Sequence, residues 1–283
     1  MKTIATINFK GGVGKTTVTW CLGDMLSTYS DFKVLLFDLD AQMSMTQAIS
    51  LNEQGQAHGE FRRWQKNQET VFSALVKFLQ PGGRDDFHPG NDFVFGLTPK
   101  YHFVPSTEEL YWLELDTRDP KKGKFFVKDL LGKIDNSGAL PKYDYALFDC
   151  PPSFTLLSYS VLTCCDLILI PVNPDFFAAK GVDLLIRGLH EKIKPHPLPK
   201  IAVFANRVKT WRRPTKAAQG WIRDIKQTCQ TARDKLQTNI RFLDDAWLPD
   251  RVSIRDAITK RGTPREVHPN FRLLWVHIES ILR

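Results

Sequence analysis

No run of about 18 apolar residues occurs in this chain, so a membrane-spanning helix is not expected. No charged and then apolar leader precedes the first apolar run, Thr3 to Ile7. A secretion signal is therefore not expected either. Cysteine is sparse. Cys21, Cys150, Cys164, Cys165 and Cys229 make an odd count with no Cys-x-x-Cys pair, which suits buried, reduced thiols in a cytoplasmic protein. Acidic residues are scarce towards the end. Residues 180–283 hold 10 Asp and Glu against 22 Lys and Arg, whereas residues 1–179 hold 21 against 17. A neutral metabolic enzyme has no need of that asymmetry, but a surface for nucleic acid does. The remaining bulk properties, 283 residues and 42% hydrophobic content, fit a globular protein of one large α/β domain or two small ones that can bury a large core.

What is present is concentrated near the start. Asn8-Phe9-Lys10-Gly11-Gly12-Val13-Gly14-Lys15-Thr16-Thr17 stands between the apolar run and a helix predicted over Val18–Leu26. Strand, glycine-rich loop and helix in that order form a phosphate-binding loop. Gly11, Gly12, Val13 and Gly14 can turn backbone N–H groups onto phosphate oxygens, helped by the helix N-terminus. Lys15 supplies an ammonium to the β- and γ-phosphates. Thr16 offers a hydroxyl to Mg²⁺, and Thr17 completes the loop. The fold class implied is α/β, a mostly parallel twisted sheet with helices on both faces.

Two acidic strand ends follow. Val34 to Phe37 is a short apolar run that ends in Asp38-Leu39-Asp40-Ala41-Gln42. Tyr143 to Phe148 ends in Asp149-Cys150-Pro151-Pro152-Ser153. Carboxylates at such ends border the ligand crevice of an open α/β sheet. There they can orient an attacking water or hold Mg²⁺ through its waters. Asp149 is the expected Mg²⁺ carboxylate. Between these strands, residues 50–142 show no repeat. Helices are predicted over Val71–Leu79, Glu108–Leu115 (capped by Ser106 or Thr107) and Phe125–Ile134, and strands over Asp92–Leu97 and Tyr101–Pro105. Further on come a helix over Leu156–Leu162, a strand over Asp166–Ile170, a helix over Val182–Ile193 and a strand over Lys200–Ala205. Arg207, Lys209, Trp211, Arg212, Arg213, Lys216, Arg223 and Lys226 then mix base and aromatic, the last part on a helix over Thr215–Leu236. Such a run suits non-specific tracking of DNA phosphates. The final helix, Asn270–Leu282, has Phe271, Leu274, Trp275, Ile278, Ile281 and Leu282 on one face. Only Arg272 and Arg283 flank it, so core packing is expected rather than a membrane surface.

Gly-Lys-Thr preceded by Lys10-Gly11-Gly12-Val13, with Phe9 where the common loop has glycine, resembles the deviant Walker family of ParA, MinD and the nitrogenase iron protein. Asp38-Leu39-Asp40-Ala41-Gln42 resembles its switch I, with Ala41 in place of the usual proline. Asp149-Cys150-Pro151-Pro152-Ser153 resembles its switch II, and Val104-Pro105-Ser106-Thr107 the turn before a family helix. The resemblance runs from end to end and implies a single domain over 1–283, an ATPase using ATP and Mg²⁺. Asp40 would address the water and Asp38 the Mg²⁺ side. Lys10 would reach the nucleotide of a second subunit in an ATP-bound sandwich homodimer. Asn206 would read the adenine edge, with Pro249 and Asp250 in a turn over the base. The ParA branch fits best. It implies a nucleoid-associated protein that positions or segregates cargo and hydrolyses ATP when a ParB-like or McdB-like adaptor triggers it. An operator-reading N-terminal domain is not expected, because the first strand starts at Thr3. A MinD-like membrane-cycling ATPase is the alternative. A cluster-carrying or metabolic relative, such as dethiobiotin synthetase, fits the cysteine spacing or the basic last third less well.

Overall fold

A strand covered on both faces must be apolar at successive positions, because neighbouring side chains point to opposite sides. Val34–Asp38 is such a strand and is buried along its length. Leu35 and Phe37 enter one core, Val34 and Leu36 the other. The same alternation separates Ala5 from Ile4, Phe148 from Leu147 and Ile168 from Leu167. One sheet therefore stands between two apolar layers.

The computed structural model describes residues 1–50, 69–83, 93–116, 123–195, 197–209 and 214–283. Trp211, Arg212 and Arg213 lie outside the described residues, as does the start of the strand predicted from Asp92. Among the described residues eight strands form the sheet: β1 (Lys2–Thr6), β2 (Val34–Asp38), β3 (Phe95–Thr98), β4 (Tyr101–Val104), β5 (Tyr145–Asp149), β6 (Leu167–Val172), β7 (Lys200–Ala205) and β8 (Ile240–Phe242). Their order is β3-β4-β2-β5-β1-β6-β7-β8. Every neighbouring pair is parallel except β3 with β4. The helices are α1 (Lys15–Tyr29), α2 (Ser44–Ser50), α3 (Val71–Leu79), α4 (Leu110–Asp116), α5 (Phe126–Asn136), α6 (Leu156–Leu162), α7 (Ala178–Gly188), α8 (Lys216–Leu236), α9 (Val252–Arg255) and α10 (His268–Leu282).

The layers follow from the helical stripes. Val18, Leu22, Met25 and Leu26 of α1 pack with Phe271, Leu274, Ile278, Ile281 and Leu282 of α10 in one core. Residues of α3, α5, α6, α7 and α8 fill the other. The apolar face of the last helix is thus buried, with Trp275 packed at its margin. Three departures from the sequence reading have local causes. Helix α1 starts at Lys15 because the loop's own Lys-Thr-Thr is its first turn. The helix predicted over Val182–Ile193 is instead α7 followed by a π-helical turn, Leu189–Ile193, stopped by Lys194 at φ 48°. Of the two cap candidates for α4, Ser106 instead donates its hydroxyl to the Asp40 carbonyl at 2.8 Å, whereas Thr107 Oγ1 accepts from Glu109 N–H at 3.5 Å.

Candidate functional site

The central strand β1 runs between β5 and β6, and its C-terminal end releases the loop 7–14. Asn8 anchors that loop. Its Nδ2 donates to the Pro171 carbonyl at 2.9 Å, and its Oδ1 accepts from Lys10 N–H at 2.9 Å. Gly12 and Gly14 sit at φ 71° and 86°, a region that L side chains rarely adopt. At Gly14 space is also closed, since a methyl group there would meet Asn206 Nδ2 at 2.5 Å. Gly14 is the N-cap of α1, and no side chain caps that helix. Its first N–H groups therefore add to the donors of the loop. Val13 is buried, Gly11 and Gly12 are exposed, and Thr16 and Thr17 are half-buried.

Lys15 is buried in the middle of this loop, its Nζ 3.5 Å from the Lys10 carbonyl. Burial pulls its ammonium below the usual lysine range, and the charges of Asp149 and then Asp40 partly restore it. Asp38 and Asp149 are register partners at the ends of β2 and β5, so two carboxylates stand side by side. Both are buried. Asp149 is pushed well above the carboxylate range by burial and by the Asp38 charge, with the Thr16 side chain and Lys15 offsetting part of this. Its Oδ1 is buried and lacks a hydrogen-bond partner. An orphaned carboxylate oxygen beside a threonine hydroxyl fits a hydrated divalent cation.

Asp38 is placed differently from Asp149. Its Oδ2 accepts from Thr46 N–H at 2.9 Å and from Thr46 Oγ1 at 2.7 Å, and its Oδ1 from Asp40 N–H at 3.1 Å. Burial still raises its carboxyl to about 6. Thr46 Oγ1 in turn accepts from Ser106 N–H at 2.9 Å. Asp38 therefore ties its own loop to α2 and to the turn after β4. Asp40 is half-buried, and its Oδ1 accepts from Gln42 N–H at 2.9 Å. It borders a cavity of about 280 Å³ shared with Gln42, Tyr111, Pro151, Pro152 and Ser153. The two acidic loops face each other across that space.

Lys10 is exposed and pairs with Asp175, in the loop after β6. Asn206 lies at the end of β7, and its Nδ2 donates to the Val13 carbonyl at 2.7 Å. One amide proton and Oδ1 remain for a base edge. Pro249 is buried and bridges to Val208. Asp250 instead accepts from Arg255 Nη2 at 3.1 Å and is exposed. Of the basic residues, Lys209, Lys216 and Arg223 are exposed, whereas Lys226 is held by both oxygens of Asp244 at 2.9 and 2.7 Å. Arg212 and Arg213 are outside the described residues. Sequence reasoning assigned no role to Asn8, Thr46 or Asp175. Asn8 carries a readable signal, an Asn two residues before the N–H that it accepts from. Thr46 and Asp175 meet their partners only through the tertiary fold.

An AAA domain family model (AAA_31) matches residues 1–199. A "ParA family protein" of Chlamydia pneumoniae is 30% identical over 205 residues, 72% of this chain and 71% of that protein. Among solved structures, a putative plasmid partition protein of Borrelia burgdorferi bound to AMPPNP superposes with a TM-score of 0.67. It has 22% identity over 99% of this chain and 98% of that one. McdA of Cyanothece in an ATP complex superposes with a TM-score of 0.69, at 19% identity over 100% and 96% of the two chains.

Proposed function

Because the chain belongs to the ParA family, we propose that it is an ATP-dependent molecular switch that dimerises on ATP, holds non-specific DNA and positions cargo. The observation that carries the nucleotide chemistry is the buried Lys15 beside Asp149, whose Oδ1 lacks a partner. Loop N–H groups from Gly11 to Thr17 surround the phosphates. Lys15 places its charge on the β- and γ-oxygens. Thr16 and Asp149 hold the Mg²⁺ shell. Magnesium, when bound there, would supply positive charge against the negative charge developing on phosphoryl transfer. Asp40, at the cavity between the acidic loops, orients the attacking water. Asp38 acts with it by fixing the backbone N–H of Asp40 and the start of α2. Asn206 and the Pro249 turn address the adenine.

Lys10 then serves the second subunit. It is exposed at the loop's edge, where a partner's nucleotide can reach it. The basic surface of Lys209, Lys216 and Arg223 meets DNA phosphates from both halves of the dimer, which multiplies the contacts. An adaptor of the ParB or McdB type would trigger hydrolysis. The membrane-cycling alternative finds less support, because five apolar residues of α10 are buried in the core. No helix among the described residues is long and apolar enough to cross a membrane.

The test is nucleotide binding and turnover of three proteins. Lys15→Ala is expected to lose ADP and ATP binding. Asp40→Ala is expected to keep binding, to hydrolyse at least tenfold more slowly and to accumulate dimer by light scattering. Wild-type affinity in Lys15→Ala would remove the phosphate-loop assignment. Normal turnover in Asp40→Ala would remove the water assignment.

A further inference from the structure

Arg207 follows Asn206 and has φ 51°. That conformation is uncommon for a residue other than glycine, asparagine or aspartate, and persists only where neighbours impose it. Here they do. Asn206 N–H donates to the Val172 carbonyl at 2.8 Å and Val208 N–H to the Leu248 carbonyl at 3.0 Å. The Val208 carbonyl accepts from Asp250 N–H at 3.1 Å. Val208 is fully buried. Arg207 is thus clamped on either side while its own backbone takes the unfavourable turn.

The turn has a directional result. Consecutive side chains of an extended strand point to opposite faces, yet here residues 206 and 207 reach the same loop. Asn206 Nδ2 is on the Val13 carbonyl at 2.7 Å. Arg207 Nη1 lies 4.0 Å from where a methyl group on Gly12 would stand. Among the described residues the Arg207 guanidinium has no carboxylate partner. Nothing lies within 4 Å of a methyl group placed on neighbouring Gly11. A half-buried guanidinium free of carboxylates therefore stands beside an open, glycine-lined cradle of N–H donors.

We propose that Arg207 binds the polyphosphate of the nucleotide held by its own subunit and sets affinity for the phosphate tail. The proposal rests on the nucleotide reading above. It removes Arg207 from the basic DNA surface, on which its neighbour Lys209 remains. A guanidinium suits the task because its planar fork can take two phosphate oxygens at once, which an ammonium cannot. The strained backbone is the cost of aiming it at the loop rather than along the strand.

Three variants separate side chain from backbone. Arg207→Gly deletes the guanidinium and relaxes the positive φ. Arg207→Ala deletes it and keeps the strain. Arg207→Lys keeps a charge without the fork. ADP affinity is measured by titration calorimetry on the full chain, with unfolding temperature as the check on folding. Arg207→Gly and Arg207→Ala are expected to bind ADP about tenfold or more weakly, as for loss of a charge-assisted contact, with Arg207→Lys in between. Plasmid-DNA affinity of Arg207→Gly at saturating ATP is expected to stay within about twofold of wild type. Wild-type ADP affinity in folded Arg207→Gly would overturn the proposal, as would weaker DNA binding with ADP affinity intact. Failure of the wild-type chain to bind ADP at all would instead overturn the nucleotide reading.

Discussion

A carboxylate at a dry strand end must be paired, hydrogen-bonded or protonated. Asp38 accepts three hydrogen bonds and is still pushed up to about 6, mainly by burial. An unfolded Asp titrates near ~3.9. A folded value above the unfolded one means that the acid form favours folding. The Asp38 contribution is therefore full below about pH 4 and is lost as pH rises through about 6. The loss is at most about 3 kcal/mol. Urea unfolding of the nucleotide-free protein between pH 4 and pH 7 checks this. Wild type is expected to lose more stability over that window than Asp38→Asn, and parallel curves would show that Asp38 is ionised throughout. Asp149 is displaced in the same direction. A bound cation would favour the ionised form of both, so nucleotide with Mg²⁺ is expected to flatten the slope.

At the scale of the element, the loop and its helix depend on where glycine is obligatory. Gly14→Ala adds a methyl group at φ 86° and 2.5 Å from Asn206 Nδ2. It is expected to abolish ADP binding and to lower stability by about 1–3 kcal/mol, the range for backbone strain. Gly11→Ala meets nothing within 4 Å and is expected to leave the unfolding temperature unchanged. Thermal unfolding with and without ADP compares the two, and equal losses would mean that the contact with Asn206 is not the cause. Long or strictly patterned elements were legible in the residues. Val71–Leu79, Leu156–Leu162 and Lys200–Ala205 have the bounds that periodicity predicts. The loop and both acidic strand ends were legible too, because their chemistry is local. β8 was not, since three residues leave no period to read. Nor was α2, whose Thr46 N–H is held by a carboxylate eight residues away. Short elements of this kind take their stability from partners outside themselves.

Across the whole molecule, basic excess and free base are different quantities. Lys226, Arg255, Lys260, Arg233 and Arg283 each face a carboxylate. Lys209, Lys216 and Arg223 form no ion pair among the described residues, so DNA affinity is expected to depend on them. Lys216→Ala and Arg223→Ala are each expected to reduce the slope of log affinity against log salt by about 1 with ATP present. Lys226→Ala is expected to change it less. A filter-binding series across salt concentrations decides, and an unchanged slope in all three would place the DNA surface elsewhere. The ion pair at the other end of the loop bears on how such a molecule could cycle. Lys10 already holds Asp175 in the single chain. Assembly that draws Lys10 to a neighbour's nucleotide then exchanges one anion for another. Giving up the carboxylate costs that exchange little, since an exposed pair is worth about 0–1 kcal/mol. Under the proposed function, departure of that phosphate would return the lysine to its own carboxylate, so Lys10 would have an anion in either state.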